Sequence, residues 1–97
     1  MILARVAGSI VATIRSDGIE GSRYLIVEPC GSSGKTGSSG IAAGIAALDL
    51  IGAAPGELVL VSQGSSARQT EVSKDKPIDA VIIGIVDSVE ENGKVVF

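Results

Sequence analysis

Two short apolar segments, separated by a turn and a polar connection, constrain the fold of this chain more than any other feature. Residues 57–63 contain alternating leucine and valine, and residues 80–86 form an apolar run enriched in β-branched side chains. Runs of this length and composition are typical of strands buried on both faces. Between them, Gly64 interrupts the first strand, Ser65 or Ser66 is suited to cap a short helical turn, and Pro77 precedes the second strand. The pair predicts two core strands, around which the rest of the chain is arranged.

Further alternating or apolar runs, bounded by turn residues, predict the remaining strands. One long strand is predicted over residues 2–14, bent near Gly8, because a glycine within a strand pattern commonly marks a bulge or a barrel corner. Asn92-Gly93 favours a type I′ hairpin turn. The other predicted strands are residues 24–28, 45–50, 80–89 and 94–97. The pattern predicts an all-β chain of about five main strands with a short extension, which forms a small, largely antiparallel barrel.

Composition limits the classes of function that are open to the chain. Its 97 residues predict a single domain, and with 45% hydrophobic but only 2% aromatic residues its core must consist of valine, isoleucine, leucine and alanine. Such a chain leaves apolar surface to be covered, which favours oligomerisation. The net charge of −3 and the absence of histidine offer neither a basic nucleic-acid surface nor a side chain for acid/base catalysis near neutral pH. We therefore expect no nucleic-acid partner.

Cysteine content and the terminal sequence predict the compartment. Cys30 is the single cysteine, so no internal disulfide is available. The first residues lack the basic region and long apolar segment of a signal peptide, and no apolar run approaches the roughly 20 residues that span a bilayer. The expectation is a cytoplasmic protein without a membrane partner.

A segment rich in glycine and serine, residues 30–40, superficially resembles a phosphate-binding loop. Lys35 and Thr36 would reach the phosphate oxygens and Mg²⁺, with Asp87 in support. However, Pro29 stands where the motif requires glycine, the following glycines would each cost a helix about 1 kcal/mol, and the chain is too short for the parallel sheet of such a site. A mobile surface loop is the favoured interpretation.

Other candidate chemical groups are better explained by structural roles. Ser65 and Ser66 lack a base that could activate them as nucleophiles. Three aspartates near predicted strand ends, Asp49, Asp79 and Asp87, have no recognisable metal-ligand spacing. Cys30 is taken as an incidental thiol. The sequence therefore predicts neither an enzyme nor a bound cofactor or metal.

An ordered series of residues runs through the second half of the chain. It comprises Asp49, Gly52, Ala53, Gly56, Glu57, Val59, Val61, Gly64, Ser65, Ala67, Arg68, Pro77, Asp79, Gly84, Ile85, Val86 and Asp87. Together with the opening MILARVAGSIVATIRSDGIEGSRYLIVE, this series resembles the EutN/CcmL family of small shell proteins, which form the pentameric vertices of bacterial microcompartments. The resemblance extends over nearly the whole chain.

The resemblance implies a five-stranded OB-like barrel with one short helix, five copies of which close a ring. Such a ring would plug a fivefold vertex of a polyhedral shell whose facets are hexameric shell proteins, so the implied role is structural and the implied location is the shell of a cytoplasmic microcompartment. The alternatives from other classes are a nucleic-acid-binding module of the OB type and a nucleotide-binding module.

Two segments, the loop at residues 52–57 and the turn at residues 64–68, are hypothesised to form the subunit or shell interface, because exposed small residues allow close approach of neighbouring backbones. Arg68 is the most interesting single residue, since its planar guanidinium could clamp a carboxylate or carbonyl across a subunit boundary; the alternative is an ordinary solvated arginine. Ala54 stands where the family usually has glycine, which could alter the loop. The full interface set is Asp49, Gly52, Ala53, Gly56, Glu57, Gly64, Ser65, Ser66, Ala67 and Arg68.

Overall fold

The computed structural model describes residues 1–12, 23–34, 44–70 and 78–97. Within these residues the fold is all-β apart from one short 3₁₀-helix, as predicted. The main elements in chain order are β1 (Ile2–Ile10), β2 (Tyr24–Pro29), β3 (Ile45–Asp49), β4 (Leu58–Gln63), the 3₁₀-helix (Gly64–Arg68) and β5 (Ala80–Ile85). Two short strands follow, β6 (Glu90–Glu91) and β7 (Lys94–Val95).

The five main strands close into a barrel in the order β1-β2-β3-β5-β4, with β4 pairing back onto β1. Neighbouring strands are antiparallel except β3 and β5, which are parallel. In this order β1 lies across the barrel from the β3–β5 pair. The predicted small, largely antiparallel OB-like barrel is confirmed.

Strand β1 bends where the sequence predicts it. Its pairing with β2 shifts register between Val6 and Gly8, which leaves Ala7 as the extra residue of a bulge. Before the bulge β1 also pairs with β4. The bend lets a single strand hydrogen-bond to two neighbours at different angles, which a closed small barrel requires.

The barrel interior is filled by small and branched aliphatic side chains. Ala4 and Val6 point inward from β1, as their alternation predicts, and they pack with residues of the other four strands and with Ala53. A second cluster, here called the outer cluster (Leu48, Ala67, Ile78 and Val81), lies on the outer face of β3 and β5 beneath the 3₁₀-helix. Tyr24 and Leu50 pack against it. These two layers explain how a core with few aromatic residues excludes water.

Residues 89–97 form a hairpin, here called the ribbon, whose strands pair with each other and not with the barrel strands. The Val96 amide donates to the Val89 carbonyl at 2.9 Å, which extends the pairing beyond β7. Asn92 and Gly93 both have positive φ, 54° and 79°. Positive φ at both central residues is what a type I′ turn requires, so the predicted turn is confirmed.

Several predicted boundaries are wrong. β1 ends at Ile10, β3 at Asp49, β5 at Ile85 and β7 at Val95, each short of the prediction. Residues 13 and 14, and Pro77, lie outside the described residues. β5 is buried on both faces only in its first half, since Ile83 and Ile85 are partly exposed. Alternation and β-branching mark a strand well, but they do not show where its pairing partner ends.

The predicted serine cap of the helical turn is also wrong. Gln63 is the N-cap residue, and no side chain caps the helix. Ser66 instead lies within the helix and donates its hydroxyl proton to the Gln63 carbonyl at 2.6 Å.

Among the described residues, no helix is long and apolar enough to cross a membrane.

Candidate functional site

The loop from β3 to β4, here called the Asp49 loop (residues 49–57), is organised by one carboxylate. Asp49 Oδ1 accepts hydrogen bonds from the successive amides of Ile51, Gly52 and Ala53 at 3.1–3.2 Å. Its other oxygen, Oδ2, lies 3.4 Å from Arg23 Nη1, and the Asp49 side chain is 1% exposed whereas that of Arg23 is 55% exposed. Arg23 Nη2 also donates to the Ala53 carbonyl at 3.2 Å. Asp49 therefore fixes the loop backbone from within.

The second half of the Asp49 loop is a tight turn. The Glu57 amide donates to the Ala54 carbonyl at 3.1 Å, with Pro55 and Gly56 between them and Gly56 at φ 86°. Proline followed by a glycine of positive φ is the signature of a type II turn. Glu57 Oε1 accepts from the Ala54 amide at 2.6 Å. The left-handed φ values of this loop fall on Gly52 and Gly56, so Ala54 needs none.

The Asp49 loop is also tied to β1. Val6 donates its amide to Glu57, and Gly56 donates its amide to Val6, at 3.0 and 2.8 Å. Arg5 Nη1 donates to the Gly56 carbonyl at 2.7 Å. The loop thus runs from the outer cluster, where Leu48 and Leu50 flank Asp49, to the middle of β1.

The second predicted segment is the Gly64 turn (residues 64–68), which coincides with the 3₁₀-helix. Gly64 has φ 65° and donates its amide to the Asp79 carbonyl at 2.8 Å. The hydroxyls of Ser62 and Ser66 lie 3.0 Å apart. Ser65 and Arg68 are exposed, while Ala67 is buried in the outer cluster. The turn is therefore held by its backbone and by Ala67, and it presents its polar side chains to solvent.

Ala53 and Ala67 correct the prediction that the interface set consists of exposed small residues. Both are 0% exposed: Ala53 lies in the barrel core, and Ala67 lies in the outer cluster. Their small size is required inside the subunit. Arg68, by contrast, is exposed, and its side chain has no hydrogen-bond or ion-pair partner among the described residues. Asp49, Gly52, Gly56 and Glu57 all belong to one hydrogen-bonded loop.

The sequence did not identify Arg5, which joins three parts of the chain. Its Nε and Nη2 atoms donate to the Gly34 carbonyl at 2.9 and 2.7 Å, and its guanidinium carbon lies 5.5 Å from the centre of the Phe97 ring. Gly34 is buried, with φ 78°. Within the described residues, the start of the predicted mobile loop is therefore folded against β1, which corrects that prediction for residues 30–34. Arg5 is separated from Gly34 by 29 positions and from Gly56 by 51 positions along the chain, so no local sequence pattern predicts these hydrogen bonds.

Gly34→Ala is expected to lower the free energy of unfolding by about 1–3 kcal/mol. A Cβ atom there would lie 2.5 Å from Arg5 Nη2 and 2.8 Å from Phe97 Cδ1, at a positive φ that favours glycine. Urea unfolding at one fixed protein concentration measures the change. Gly31→Ala is the matched control, because its Cβ would meet nothing within 4 Å. An equal loss in both variants would contradict the role assigned to Gly34.

Residues that a nucleotide-binding site or a nucleic-acid-binding surface would use make other contacts in this fold. The Gly34 amide, which a phosphate-binding loop would need, donates to the Gly31 carbonyl at 2.9 Å. Lys35 and Thr36 lie outside the described residues. Tyr24 packs against the outer cluster rather than standing free as a platform for base stacking. These contacts argue against both a nucleotide site and a nucleic-acid surface.

The remaining titratable groups offer little chemistry. Burial raises the pKa of the Cys30 thiol, an effect that the nearby Arg5 guanidinium opposes. A raised pKa reduces the thiolate fraction and hence reactivity. Among the described residues, no group of three or more histidine, cysteine, aspartate and glutamate side chains is placed to hold a metal ion. The described surface thus consists of loops with fixed backbones around a closed barrel.

Known proteins share this arrangement. The family model described as "Ethanolamine utilisation protein EutN/carboxysome" matches residues 1–87. The bacterial microcompartment shell vertex protein EutN of Salmonella typhimurium is 46% identical, over 100% of this chain and 94% of that protein. The structure of Gloeobacter violaceus CcmL is similar with a TM-score of 0.89 at 32% identity, covering 100% of this chain and 96% of that one. The GrpN pentameric microcompartment shell protein from Rhodospirillum rubrum gives 0.79 at 36% identity, covering 94% and 100%.

The barrel and its loops define a class of small proteins in which five strands close into a barrel and hydrogen bonds fix the connecting loops. The family match extends over most of the chain, and relatives well above 30% identity cover all of it. The chain belongs to the EutN/CcmL family.

Proposed function

We propose that this chain is a structural subunit of a bacterial microcompartment shell, in which five copies form a ring that closes a vertex. The observation that carries the proposal is the match to a pentameric shell protein over 94% of this chain and 100% of that one, in sequence and in fold. A curated relative that aligns along the whole chain is named a shell vertex protein. The ring would lie in the shell, inside the cytoplasm of the cell.

The subunit contact is proposed to use the exposed parts of the Asp49 loop and the Gly64 turn. Both segments adjoin the outer cluster, one through Leu50 and the other through Ala67. Their backbones are fixed by hydrogen bonds to Asp49 and Asp79, so little loop entropy would be lost on association. A ring of identical subunits needs a head-to-tail contact between two different surfaces, and these segments supply one of them.

The proposed external partners are the hexameric shell proteins that form the flat facets. A fivefold ring among hexagons introduces the curvature that a closed polyhedron requires. The role asks for shape and rigidity rather than a reacting group, and we accordingly propose no enzymatic activity.

Native mass spectrometry with light scattering over a dilution series tests the proposal. We expect a pentamer that persists to low concentration, because ring closure couples five contacts. Electron microscopy of hexameric shell proteins mixed with the pentamer is expected to show closed particles, whereas the hexamers alone give open sheets or tubes. A monomer at every concentration would contradict the ring, and a pentamer without effect on closure would contradict the vertex role.

A further inference from the structure

The ribbon is a projecting element that its own barrel does not fully cover. Its strands pair only with each other among the described residues, and an isolated two-stranded hairpin is marginally stable in water. Val95 is 72% exposed. The family model ends at residue 87, so the ribbon lies beyond the part of the chain that it matches. An exposed hairpin of this kind gains stability if a further surface covers it.

The ribbon is anchored on the β1 side of the barrel. Phe97 lies over the Arg5 guanidinium and beside Gly34, and Arg5 points outward because Ala4 and Val6 fill the interior. Beyond β7 the pairing shifts by one residue, since the Val96 amide donates to the Val89 carbonyl whereas the Val89 amide donates to the Phe97 carbonyl. Phe97 therefore contacts its own barrel, whereas Val95 is left exposed.

The face that carries Val95 also carries an uncompensated charge. The register sets Glu90 opposite Val95 and Glu91 opposite Lys94, so the two glutamates occupy opposite faces. Glu91 thus has a cation across the strand pair. The Glu90 side chain has no hydrogen-bond or ion-pair partner among the described residues. One face of the ribbon therefore combines an exposed apolar side chain with a free carboxylate.

A complementary surface adjoins the outer cluster on the opposite side of the barrel. Ile51, in the Asp49 loop, is 44% exposed, and Arg68, in the Gly64 turn, is a cation without a described partner. Their loops meet the outer cluster through Leu50 and Ala67. The outer cluster sits on β3 and β5, across the barrel from β1. Two complementary surfaces on opposite sides of one subunit suit a head-to-tail ring.

We infer that the Glu90–Val95 face of each ribbon docks on the surface formed by Ile51 and Arg68 of the next copy of this chain around the ring. The inference rests on the proposed pentamer and names a contact within it. Val95 would cover Ile51, and Glu90 would pair with Arg68. Residues 1–87, which the family model matches, would form the ring of barrels, and the ribbon would strengthen the contact between neighbouring subunits.

Charge reversal tests the pairing. Glu90→Arg and Arg68→Glu are each expected to raise about tenfold the concentration at which half the pentamer dissociates, because like charges then face each other. The double variant should return to within about threefold of the parent. Glu91→Arg is the matched control, since it lies on the other face of the ribbon and should not rescue Arg68→Glu. Failure of Glu90→Arg to rescue, or equal rescue by Glu91→Arg, would overturn the inference.

Val95→Asp tests the apolar part, with Val11→Asp as its control because Val11 is still more exposed, at 85%. We expect Val95→Asp alone to weaken the pentamer, while circular dichroism shows the same barrel in both variants. Equal effects of the two substitutions would overturn the docking site. A parent pentamer that withstands all of these changes leaves the proposed function intact and removes only the ribbon contact. A parent chain that never forms a pentamer overturns both.

Discussion

Ala53→Glu is expected to abolish the folded subunit. Ala53 is fully buried among the aliphatic side chains of the barrel interior, although its neighbours in the loop are exposed. A carboxylate placed there would lose its hydration among these side chains, at a cost on the order of 5 kcal/mol. Arg23, which donates to the Ala53 carbonyl, is already paired with Asp49, and its side chain is 55% exposed. The cost approaches the whole stability of a domain of this size, which is about 5–15 kcal/mol. Circular dichroism and urea unfolding should show a largely unfolded chain.

Ala54→Glu is the matched control for this substitution. Ala54 is adjacent and exposed, and its φ is not positive. A glutamate there stays hydrated, and its repulsion from Glu57 should cost less than about 1 kcal/mol. A folded Ala53→Glu chain, or an Ala54→Glu chain that unfolds as readily, would contradict the assignment of Ala53 to the core.

Asp49→Ala is expected to lower the free energy of unfolding by about 2–4 kcal/mol. The substitution removes the acceptor for three successive amides and the carboxylate that faces Arg23. The Asp49 loop would then lose the group that fixes its shape. Urea unfolding measures the stability. If the Asp49 loop forms the proposed subunit contact, native mass spectrometry should also show a weaker pentamer, because the loop is no longer rigid.

Two further variants separate the amide bonds from the ion pair. Asp49→Asn keeps an acceptor oxygen and should lose less stability than Asp49→Ala. Arg23→Gln should cost less than about 1 kcal/mol, because the arginine side chain is half exposed and its attraction to Asp49 is screened. If Arg23→Gln were as damaging as Asp49→Ala, the ion pair rather than the amide bonds would dominate.

Local patterns in the sequence predict the strands well. The alternation of Ala4 and Val6, the bulge near Gly8 and the Asn92-Gly93 turn all depend on neighbouring residues, and the structure confirms each of them. The strand ends were wrong because they depend on the length of the pairing partner, which is distant in sequence. Closure of the barrel follows from the family resemblance and from the strand count together.

The candidate site was only partly predictable. Asp49 and Gly56 were identified as members of an interface, but the partners that fix their loop are Arg23 and Arg5, which are far away along the chain. The sequence predicts an exposed Ala53 because it lies in a loop of small residues, whereas the closed fold places it inside the barrel. The interface itself stays a prediction, since it depends on a second copy of the chain.

Barrel closure has a consequence for how the assembly can grow. Since β4 returns to β1, every barrel strand has a paired neighbour on each side, and the barrel has no edge strand on which another chain could add along its whole length. The ribbon lies outside this closed sheet, but its strands of two residues each are too short to template a fibre. Contacts between copies must therefore use side chains and loops rather than strand addition along the barrel. Substitutions that alter such contacts can then leave the barrel core unchanged.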